Sequence, residues 1–350
     1  MTGQPYISMV VVGRNDNYGE DFNYRLQNCL TWTIKNTEKY GIPSEIIFVN
    51  YNPIPDQPSL QQVLKFPNDL KHTRVRLITV PKDIHEEFCD PAVRRNVPLY
   101  EYIAKNIGIR RANGEFILSA NPDILIHSRI FETISNQRLK KQTYYRSDRC
   151  DFSKFGLDFS LSDDQIFAAL NEHTFKFVVK GKNHIRKDQN ETLRSVRFRT
   201  RIRNFKNRNM IRIEKIANYF SWPVIYDYLS LKYHTNCSGD FMLMHRSHWY
   251  DLNGHPESTY LAIHTDALFV IMAATSGFKE VCFSDPIYHQ DHERRYRHDG
   301  DIEDPDIREM FNLMNREGSK MEKTHSPIIY NDENWGCSKL QLKETIITCP

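Results

Sequence analysis

Short apolar runs alternate with helical periodicity through the first 130 residues. Phe22, Leu26 and Leu30 recur at helical spacing, and a second helical pattern runs from Leu99 to Arg111. Four runs have the length and composition of buried strands: Ile7 to Val12, Glu45 to Val49, Val75 to Val80 and Glu115 to Ser119. This order predicts the α/β class, with an open, mainly parallel sheet flanked by helices.

The middle of the chain lacks this rhythm, which returns near residue 234. We predict strands from Phe241 to Met244 and Glu280 to Phe283, and a helix from Asp266 to Ala274. The last fifty residues are polar and irregular, with a helix predicted from Pro305 to Glu317. We therefore predict that residues 1–150 and 234–300 are two halves of one domain. Residues 151–233 form an inserted subdomain, and residues 301–350 form a C-terminal extension.

Composition fits a folded protein but does not select a partner. The chain has 350 residues, of which 40% are hydrophobic and 26% charged, so wholesale disorder is excluded. Its formal net charge is +3, from 47 basic and 44 acidic residues. With charges so nearly balanced, any binding of a polyanion must depend on a local patch.

One such patch is the tract from Arg194 to Lys215, which has nine basic residues and only Glu214 opposing them. Between Val196 and Arg203, arginines alternate with other residues, which predicts an amphipathic strand with one cationic face. This basic tract could bind nucleic acid or another polyanion through phosphates. Phe198, Phe205 and Tyr219 lie near it for stacking on bases. The alternatives are that the tract binds an anionic acceptor or membrane lipid, or that its charges are simply solvated.

The cysteines and the apolar segments bear on the compartment. Seven cysteines, an odd number with no CxxC pair, favour reduced thiols. No signal peptide is visible at the N-terminus. The longest apolar stretch, Leu268 to Ala274, is much shorter than the roughly 20 residues that span a bilayer. We expect a cytoplasmic protein without a transmembrane segment, with peripheral membrane contact left open and the oligomeric state undetermined.

Polar clusters follow three of the predicted strands, at Arg14 to Asp16, Asn50 to Asn52 and Ala120 to Asp123. In open parallel sheets, ligands bind beyond the carboxyl ends of the strands. A carboxylate at such a position can hold a divalent cation and leave coordination sites for phosphate oxygens. The same Asn-Pro-Asp segment is also typical of a turn.

Two later positions are candidates for chemistry. Asp266 opens an apolar helix, where it could be a general base or simply an N-terminal carboxylate favoured by the helix dipole. His289 follows a strand, with Asp291 and His292 nearby, and an imidazole there could ligate Mn²⁺ or be structural. The pair His289 and His292 lacks the spacing of a zinc site. The motifs of dinucleotide-binding, P-loop and α/β-hydrolase proteins are absent.

Two longer segments carry a resemblance to a known family. One is KNIGIRRANGE, in which seven positions fit the family pattern: Lys105, Asn106, Gly108, Ile109, Ala112, Gly114 and Glu115. The other fits at nine positions: Ser238, Gly239, Asp240, Phe241, Trp249, Leu252, Gly254, Pro256 and Glu257. With IHTDALF, IYHQDH and the terminal NDENWG, these make the chain similar to glycosyltransferase-A fold enzymes, nearest to family 2-like nucleotide-sugar glycosyltransferases of bacterial and viral type.

The resemblance implies transfer of a sugar from a nucleotide-diphosphate sugar to a hydroxyl of a glycan or other acceptor. Family frequency favours uracil as the donor base. Residues 1–150 would then be the nucleotide-sugar-binding half and residues 234–300 the acceptor and catalytic half. A nucleotidyltransferase is disfavoured, because GRNDNYG after the first strand is not the glycine- and lysine-rich loop such enzymes use. Nucleic acid is not an expected partner of such a transferase.

The resemblance also assigns roles to single positions. Asp266 falls on the general base of an inverting reaction, and Asp123 and His289 on ligands of Mn²⁺ or Mg²⁺. Asn121 stands where the family has the first Asp of its Asp-x-Asp motif, which puts metal dependence in question.

The nucleotide-sugar site would include Arg14, Asn15, Asn50, Lys105, Asn106, Asn121 and Asp123. Candidates for contact with either sugar are Arg146, Asp148, Arg149, Gly239, Asp240 and His264. A retaining enzyme would use Asp240 or Asp148 as a second carboxylate. The cluster from Tyr144 to Arg149 fits sugar hydroxyls or surface salt bridges equally.

Overall fold

The computed structural model describes residues 3–67, 69–89, 97–217, 225–257, 264–293 and 305–347. For residues 207–217, 225–228 and 305–307 only the backbone is described. The side chains of Arg208, Arg212 and Lys215 in the basic tract, and Tyr219 beside it, therefore lie outside the description. So does Ile263, the first residue of the IHTDALF segment.

Thirteen strands are found in the described residues. They are β1 (Ile7–Gly13), β2 (Ser44–Tyr51), β3 (Thr73–Val80), β4 (Phe116–Ala120), β5 (Ile124–Ile126), β6 (Thr143–Arg146), β7 (Arg149–Phe152), β8 (Thr174–Val179), β9 (Lys182–Ile185), β10 (Phe241–His245), β11 (Lys279–Cys282), β12 (Ile287–Gln290) and β13 (Lys343–Ile347). Eight form one sheet in the order β11-β6-β10-β4-β1-β2-β3-β13, and five form a second sheet in the order β5-β12-β7-β8-β9.

Eleven helices are found in the same residues. They are α1 (Phe22–Lys39), α2 (Leu60–Val63), α3 (Lys82–Glu87), α4 (Glu101–Arg110), α5 (Ser128–Ser135), α6 (Asp163–His173), α7 (Leu193–Ala217), α8 (Ile225–Lys232), α9 (Arg246–Asp251), α10 (Thr265–Thr275) and α11 (Pro305–Thr324). In this part of the chain, no helix combines the length and the hydrophobicity that crossing a membrane requires.

The centre of the large sheet is parallel and buried on both faces. Strand β1 pairs in parallel with β2 and β4, and β2 pairs in parallel with β3. Val10 and Ile47 belong to one hydrophobic core, while Val11 and Ile46 belong to another. Successive side chains of a strand point to opposite faces, so the sheet has a core on each side. The predicted α/β class with a mainly parallel sheet is confirmed.

Helix α4 lies unusually close to this sheet because of a glycine. A Cβ atom on Gly108 would be 2.4 Å from Cγ1 of Val10, so a larger residue would push the helix away. Lys105, one turn earlier on the same helix, is completely buried. The glycine thus sets the depth at which the Lys105 side chain enters the protein.

Strand register brings distant segments together at the end of β4. Strand β10 runs antiparallel to β4 with Phe241 opposite Ala120, so the residues before β10 adjoin those after β4. In the second sheet, His289 of β12 lies opposite Ile124 of β5 and Asp151 of β7. The segments that contain Asp123, Asp240 and His289 therefore meet at one edge.

Two expectations about the elements are wrong. The arginine-rich run of the basic tract is part of helix α7, not a strand, because Val196, Thr200 and Asn204 form a buried stripe at helical spacing. The C-terminal residues are not wholly irregular either. Strand β13 pairs antiparallel with β3 at the edge of the large sheet, and α11 continues beyond Glu317 to Thr324.

The four-part division of the chain stays a prediction. Residues 151–233 contain α6, β8, β9, α7 and α8. Strand β8 pairs with β7, and the five-stranded sheet also contains β5 and β12, which lie outside that segment. The segment therefore shares its sheet with the rest of the chain.

Candidate functional site

A network of polar side chains lies between the end of β4 and the start of β10. The ammonium of Lys105 donates hydrogen bonds to Asn121 Oδ1 (2.6 Å), Glu101 Oε1 (2.6 Å) and the carbonyl oxygen of Gly239 (2.8 Å). Asn121 Nδ2 donates to Asp240 Oδ1 (2.7 Å). All three ammonium protons and both ends of the Asn121 amide are thus used within the protein.

Arg149 extends the network from β10 to the second sheet. Its Nη1 donates to Asp240 Oδ2 (2.5 Å), and its Nη2 donates to Asp151 Oδ2 (3.0 Å). Burial lowers the pKa of the Arg149 guanidinium, but Cys237, Asp240 and Asp151 outweigh it and raise that pKa well above its usual value. Arg149 is therefore a permanent charge held between two carboxylates.

Asp123, His289 and His292 form a group that could hold a metal ion. Asp123 Oδ2 lies 3.8 Å from His289 Nε2 and 3.2 Å from His292 Nε2. The potential ligand atoms of the three residues all lie within 4.8 Å of one another. Within the described residues, Asp123 Oδ1 is buried and has no hydrogen-bond partner. A buried carboxylate oxygen without a partner is costly, and a cation would satisfy it.

The protonation states of this group also fit a metal ion. Burial raises the pKa of the Asp123 carboxyl, but His289, His292 and Arg25 outweigh it and hold the pKa well below its usual range. Burial and Arg149 lower the pKa of His289, against the opposing effect of Asp123 and Asp151. The site therefore offers an ionised carboxylate and a neutral imidazole, the forms in which these residues bind metals.

Asp266 occupies the first turn of α10 and is tied to the same network. Its Oδ2 accepts hydrogen bonds from the Ser238 hydroxyl and the Gly239 backbone N–H, both at 2.8 Å. Gly239 donates to Asp266 through its N–H and accepts from Lys105 through its carbonyl. A Cβ atom on Gly239 would lie 2.6 Å from the Tyr102 hydroxyl, so glycine is required here.

His264 precedes α10 with a positive φ of 61°. Its ring contacts Phe311 edge-on, with a centroid separation of 5.7 Å. The positive φ is sterically disfavoured for a residue with a side chain, and it turns the chain into the helix at the position where Asp266 follows.

The predicted nucleotide-site residues differ in how their side chains are used. The side-chain amides of Asn15 and Asn106 are both used within the protein. Asn15 bonds to the N–H and carbonyl of Ile54. Asn106 bonds to those of His255 and also donates to Glu257 Oε1 (3.0 Å). Arg14 Nε donates to the Asn52 carbonyl (2.5 Å), while the arginine stays partly exposed. Asn50 Oδ1 is buried without a hydrogen-bond partner in the described part of the chain.

Two residues that were predicted to contact a sugar, Arg146 and Asp148, instead bond to other parts of the protein. Arg146 is completely buried and donates to the carbonyls of His234 (3.1 Å) and Asn236 (2.8 Å). Asp148 accepts a hydrogen bond from His234 Nε2 (2.7 Å) and forms an ion pair with Arg197. Both residues hold other segments in place. Both oxygens of Asp148 are engaged, whereas Arg146 Nη1 is buried without a hydrogen-bond partner among the described residues.

Some members of the network escaped the sequence analysis. Glu101 lies four residues before Lys105, and this helical spacing is a signal that was available. Asp151 lies two residues after Arg149 on β7, so both side chains are on the same face of the strand. Ser238 belonged to the quoted motif but had no assigned role, and its bond to Asp266 depends on the tertiary fold.

A cavity lies beside the start of α10. Its volume is about 510 Å³, and its lining includes Pro256, Glu257, Thr265, Leu268 and Tyr330. Thr265 is the residue before Asp266. Cavities of several hundred cubic ångströms are large enough for a small-molecule ligand.

Comparison with known proteins gives weak structural similarity. No protein-family model and no curated protein sequence matches the chain. The crystal structure of S. aureus TarS 1–349 is 16% identical with a TM-score of 0.43, and the match covers 88% of this chain and 64% of that chain. The crystal structure of GalNAc-T7 with UDP, GalNAc and Mn²⁺ is 11% identical with a TM-score of 0.47, and the match covers 96% of this chain and 54% of that chain.

The chain therefore spans less than two thirds of the length of each of these structures. At these identities, and with both TM-scores below 0.5, the two similarities do not assign a function.

Proposed function

We propose that this protein is a metal-assisted glycosyltransferase that moves a sugar from a nucleotide-diphosphate sugar to an acceptor hydroxyl. One observation carries the proposal. A chain of hydrogen bonds runs from Asp266 at the start of α10 to Asp151, and Asp151 Oδ1 lies 3.6 Å from Nδ1 of His289 in the candidate metal group. The two kinds of group that such a reaction needs thus lie at the two ends of one polar network.

Asp123, His289 and His292 would hold the cation. When bound, a divalent ion stabilises the negative charge that develops on the diphosphate leaving group. Two imidazoles beside one carboxylate favour Mn²⁺ over Mg²⁺, which prefers oxygen ligands. Asn121 is not among the proposed ligands, because Lys105 and Asp240 already use both ends of its amide.

Asp266 is the proposed general base. The Ser238 hydroxyl and the Gly239 N–H fix the orientation of its carboxylate through Oδ2. Among the described residues, no hydrogen bond to its Oδ1 is formed, so this oxygen can accept the proton of an acceptor hydroxyl as the new bond forms. The neighbouring cavity has room for part of that acceptor.

A single displacement with inversion is the favoured course. A retaining route through a covalent intermediate needs a second carboxylate as nucleophile. Asp240 is bound to Asn121 and Arg149, and Asp148 to His234 and Arg197. With both of their oxygens engaged, neither is suited to attack a sugar.

The nucleoside is assigned to the ends of β1 and β2. Arg14 and Asn50 are the predicted residues there that keep exposed or unpartnered polar atoms. Asn15 would shape the loop after β2, and Asn106 the segment around His255, instead of contacting the nucleotide. A UDP-sugar is the proposed donor, and this choice depends on the sequence resemblance alone.

The test is a screen of nucleotide sugars with Mn²⁺ in which nucleotide release is measured with and without candidate acceptors. With the donor that is found, Asp266→Asn should lower transfer by about 10²–10⁴-fold while nucleotide binding is kept. Asp158→Asn, an exposed carboxylate in a loop, is the matched control. Normal transfer by Asp266→Asn would remove the base assignment. Failure of every nucleotide sugar to release nucleotide would contradict the proposed function itself.

A further inference from the structure

Helix α7 presents an apolar ridge to solvent. Phe198 and Phe205 are 65% and 69% exposed, and Ile202 is 45% exposed. Their spacing of four and three residues places them on one side of the helix. A contiguous set of exposed large apolar side chains on a folded protein indicates an interaction surface. The proposed transferase reaction makes no use of this ridge.

The opposite side of α7 is firmly packed, so the exposure of the ridge does not result from a loose helix. Val196, Thr200 and Asn204 are buried. Asn204 Nδ2 donates to the Lys180 carbonyl (3.1 Å), and Arg203 Nη2 donates to the Gly181 carbonyl (3.0 Å). These contacts fix the helix on the turn between β8 and β9 with the ridge directed outwards.

Exposed cations border the ridge on both sides. At about 100° per residue, Arg194 and Arg201 lie within about 60° of Phe198 around the helix, and Lys206 lies about 80° away on the other side. All three are exposed. No acidic residue occurs between positions 193 and 206. The surface therefore combines an apolar line with positive flanks.

We propose that this surface, formed by Phe198, Ile202, Phe205, Arg194, Arg201 and Lys206, binds an anionic lipid bilayer. The ridge would enter the headgroup region, and the cations would contact lipid phosphates and carboxylates. Nucleic acid would satisfy the cations but would leave Ile202 exposed, since an aliphatic side chain offers no ring for base stacking. The combination of charges with apolar side chains therefore favours lipid.

This binding has a consequence for the candidate site. Arg197, on the packed side of the same helix turn as Phe198, forms an ion pair with Asp148. Asp148 directly precedes Arg149, which belongs to the network around Asp240 and Asp151. A bilayer bound to the ridge would hold this network at a fixed orientation to the membrane surface. The lipid-binding proposal itself does not depend on glycosyl transfer.

The experiment is cosedimentation of the full chain with vesicles. Vesicles of phosphatidylcholine with phosphatidylserine should sediment the protein, whereas phosphatidylcholine alone should not, and added salt should weaken binding. Removing the cations in Arg194→Ala/Arg201→Ala/Lys206→Ala should weaken binding by about a hundredfold, at about fivefold per cation. Phe198→Ser/Phe205→Ser should also lower binding, by at least about tenfold.

Matched control variants test whether vesicle binding depends on this surface or only on the total charge and exposed apolar area of the protein. Arg138→Ala/Lys140→Ala/Lys141→Ala removes three exposed cations before β6, and Leu161→Ser/Ile346→Ser removes exposed apolar groups elsewhere. Both should bind vesicles like the unmodified protein. Equal binding to both kinds of vesicle, or undiminished binding by Phe198→Ser/Phe205→Ser, would overturn the proposal. Binding of an RNA oligonucleotide without binding to anionic vesicles would overturn it as well and assign the helix to nucleic acid.

Discussion

Two clusters in this molecule contain nearly the same residue types but opposite electrostatics. One consists of Asp123, His289 and His292, and the other of Asp148, His234 and Cys282. In each, the potential ligand atoms lie within 4.8 Å of one another. In the first, Asp123 has a buried oxygen without a hydrogen-bond partner in the described residues. In the second, Asp148 is already neutralised by His234 and by Arg197 from α7.

The histidines show the difference most clearly. Burial lowers the pKa of His234, but Asp148 and Cys282 outweigh it and raise the pKa to about 9. Burial and Arg149 lower the pKa of His289. His234 is thus a cation that donates to Asp148, while His289 is a neutral imidazole with a lone pair to offer. We therefore expect a metal ion to bind the Asp123 group and not the Asp148 group, where protein cations already take the place of the metal.

The largest expected effect is on stability, at Asp148. Asp148→Asn leaves Arg197 and His234 without the carboxylate that both contact, so it should lower the free energy of unfolding by about 3–5 kcal/mol. Urea unfolding at neutral pH measures this loss. Asp285→Asn, a more exposed carboxylate close to Arg129, is the control and should cost less than about 1 kcal/mol. Equal losses in the two variants would contradict the ion-pair role.

The pH dependence of stability should follow the same pair. The folded pKa of His234, about 9, lies above its ordinary value of 6.5, so its contribution is complete below about pH 6.5 and is lost as the pH rises through 9. This pKa shift corresponds to a contribution of about 3 kcal/mol to the free energy of unfolding. The difference in free energy of unfolding between the unmodified protein and His234→Gln should therefore shrink by that amount from about pH 6 to about pH 10.

The Asp148→Asn background provides the control for this measurement. Without the carboxylate that raises the pKa of His234, the extra stability should be missing already at the lower pH. If His234→Gln has the same cost at both pH values in the unmodified protein, His234 is not held as a cation.

Mn²⁺ affinity should depend on Asp123 and not on Asp148, the reverse of the expectation for Asp148 and stability. Asp123→Asn removes the ionised oxygen of the candidate metal group, so Mn²⁺ affinity should fall by about a hundredfold, which is about 2.7 kcal/mol. Asp148→Asn should change that affinity by no more than about twofold, provided that the measurement is made under conditions where the variant is folded. Titration with Mn²⁺ monitored by electron paramagnetic resonance gives both values. Equal effects of the two substitutions would remove the distinction between the clusters.

The sheet was predictable from the sequence, whereas helix α7 was not. The runs that became β1 and β2 are apolar on both faces, and only a strand buried between helices needs that pattern. In α7, the alternating arginines have the period of a strand with one charged face, so they predicted the wrong element. The buried stripe contains one apolar residue, Val196, with Thr200 and Asn204, so it gave no hydrophobic period. This stripe faces the turn between β8 and β9, to which Asn204 and Arg203 donate hydrogen bonds.

The site was predictable in position but not in its connections. Strand order alone placed Asp123 at the end of a central strand. It could not show that Arg149 binds Asp240, because 91 residues separate them. It also could not show that the Asn15 amide bonds to Ile54, because the partners are backbone atoms of a loop that is distant in sequence. Nor could it show that Asn50 keeps an oxygen without a hydrogen-bond partner in the described residues. Residue type and strand position indicate where ligands bind, and tertiary contacts decide which side chains remain available.

The smallest expected effect is at Asn121, where the family motif would have an aspartate. Its Nδ2 donates to Asp240 Oδ1 at 2.7 Å, so Asn121→Asp would set two carboxylate oxygens against each other, with Lys105 offsetting part of the repulsion. The free energy of unfolding should fall by about 1–2 kcal/mol, and Mn²⁺ affinity should not rise. Asn190→Asp, on an exposed loop, controls for the added charge and should be nearly neutral. A gain of about tenfold or more in Mn²⁺ affinity would show that position 121 faces the cation and that the Lys105–Asn121–Asp240 contacts open when it binds.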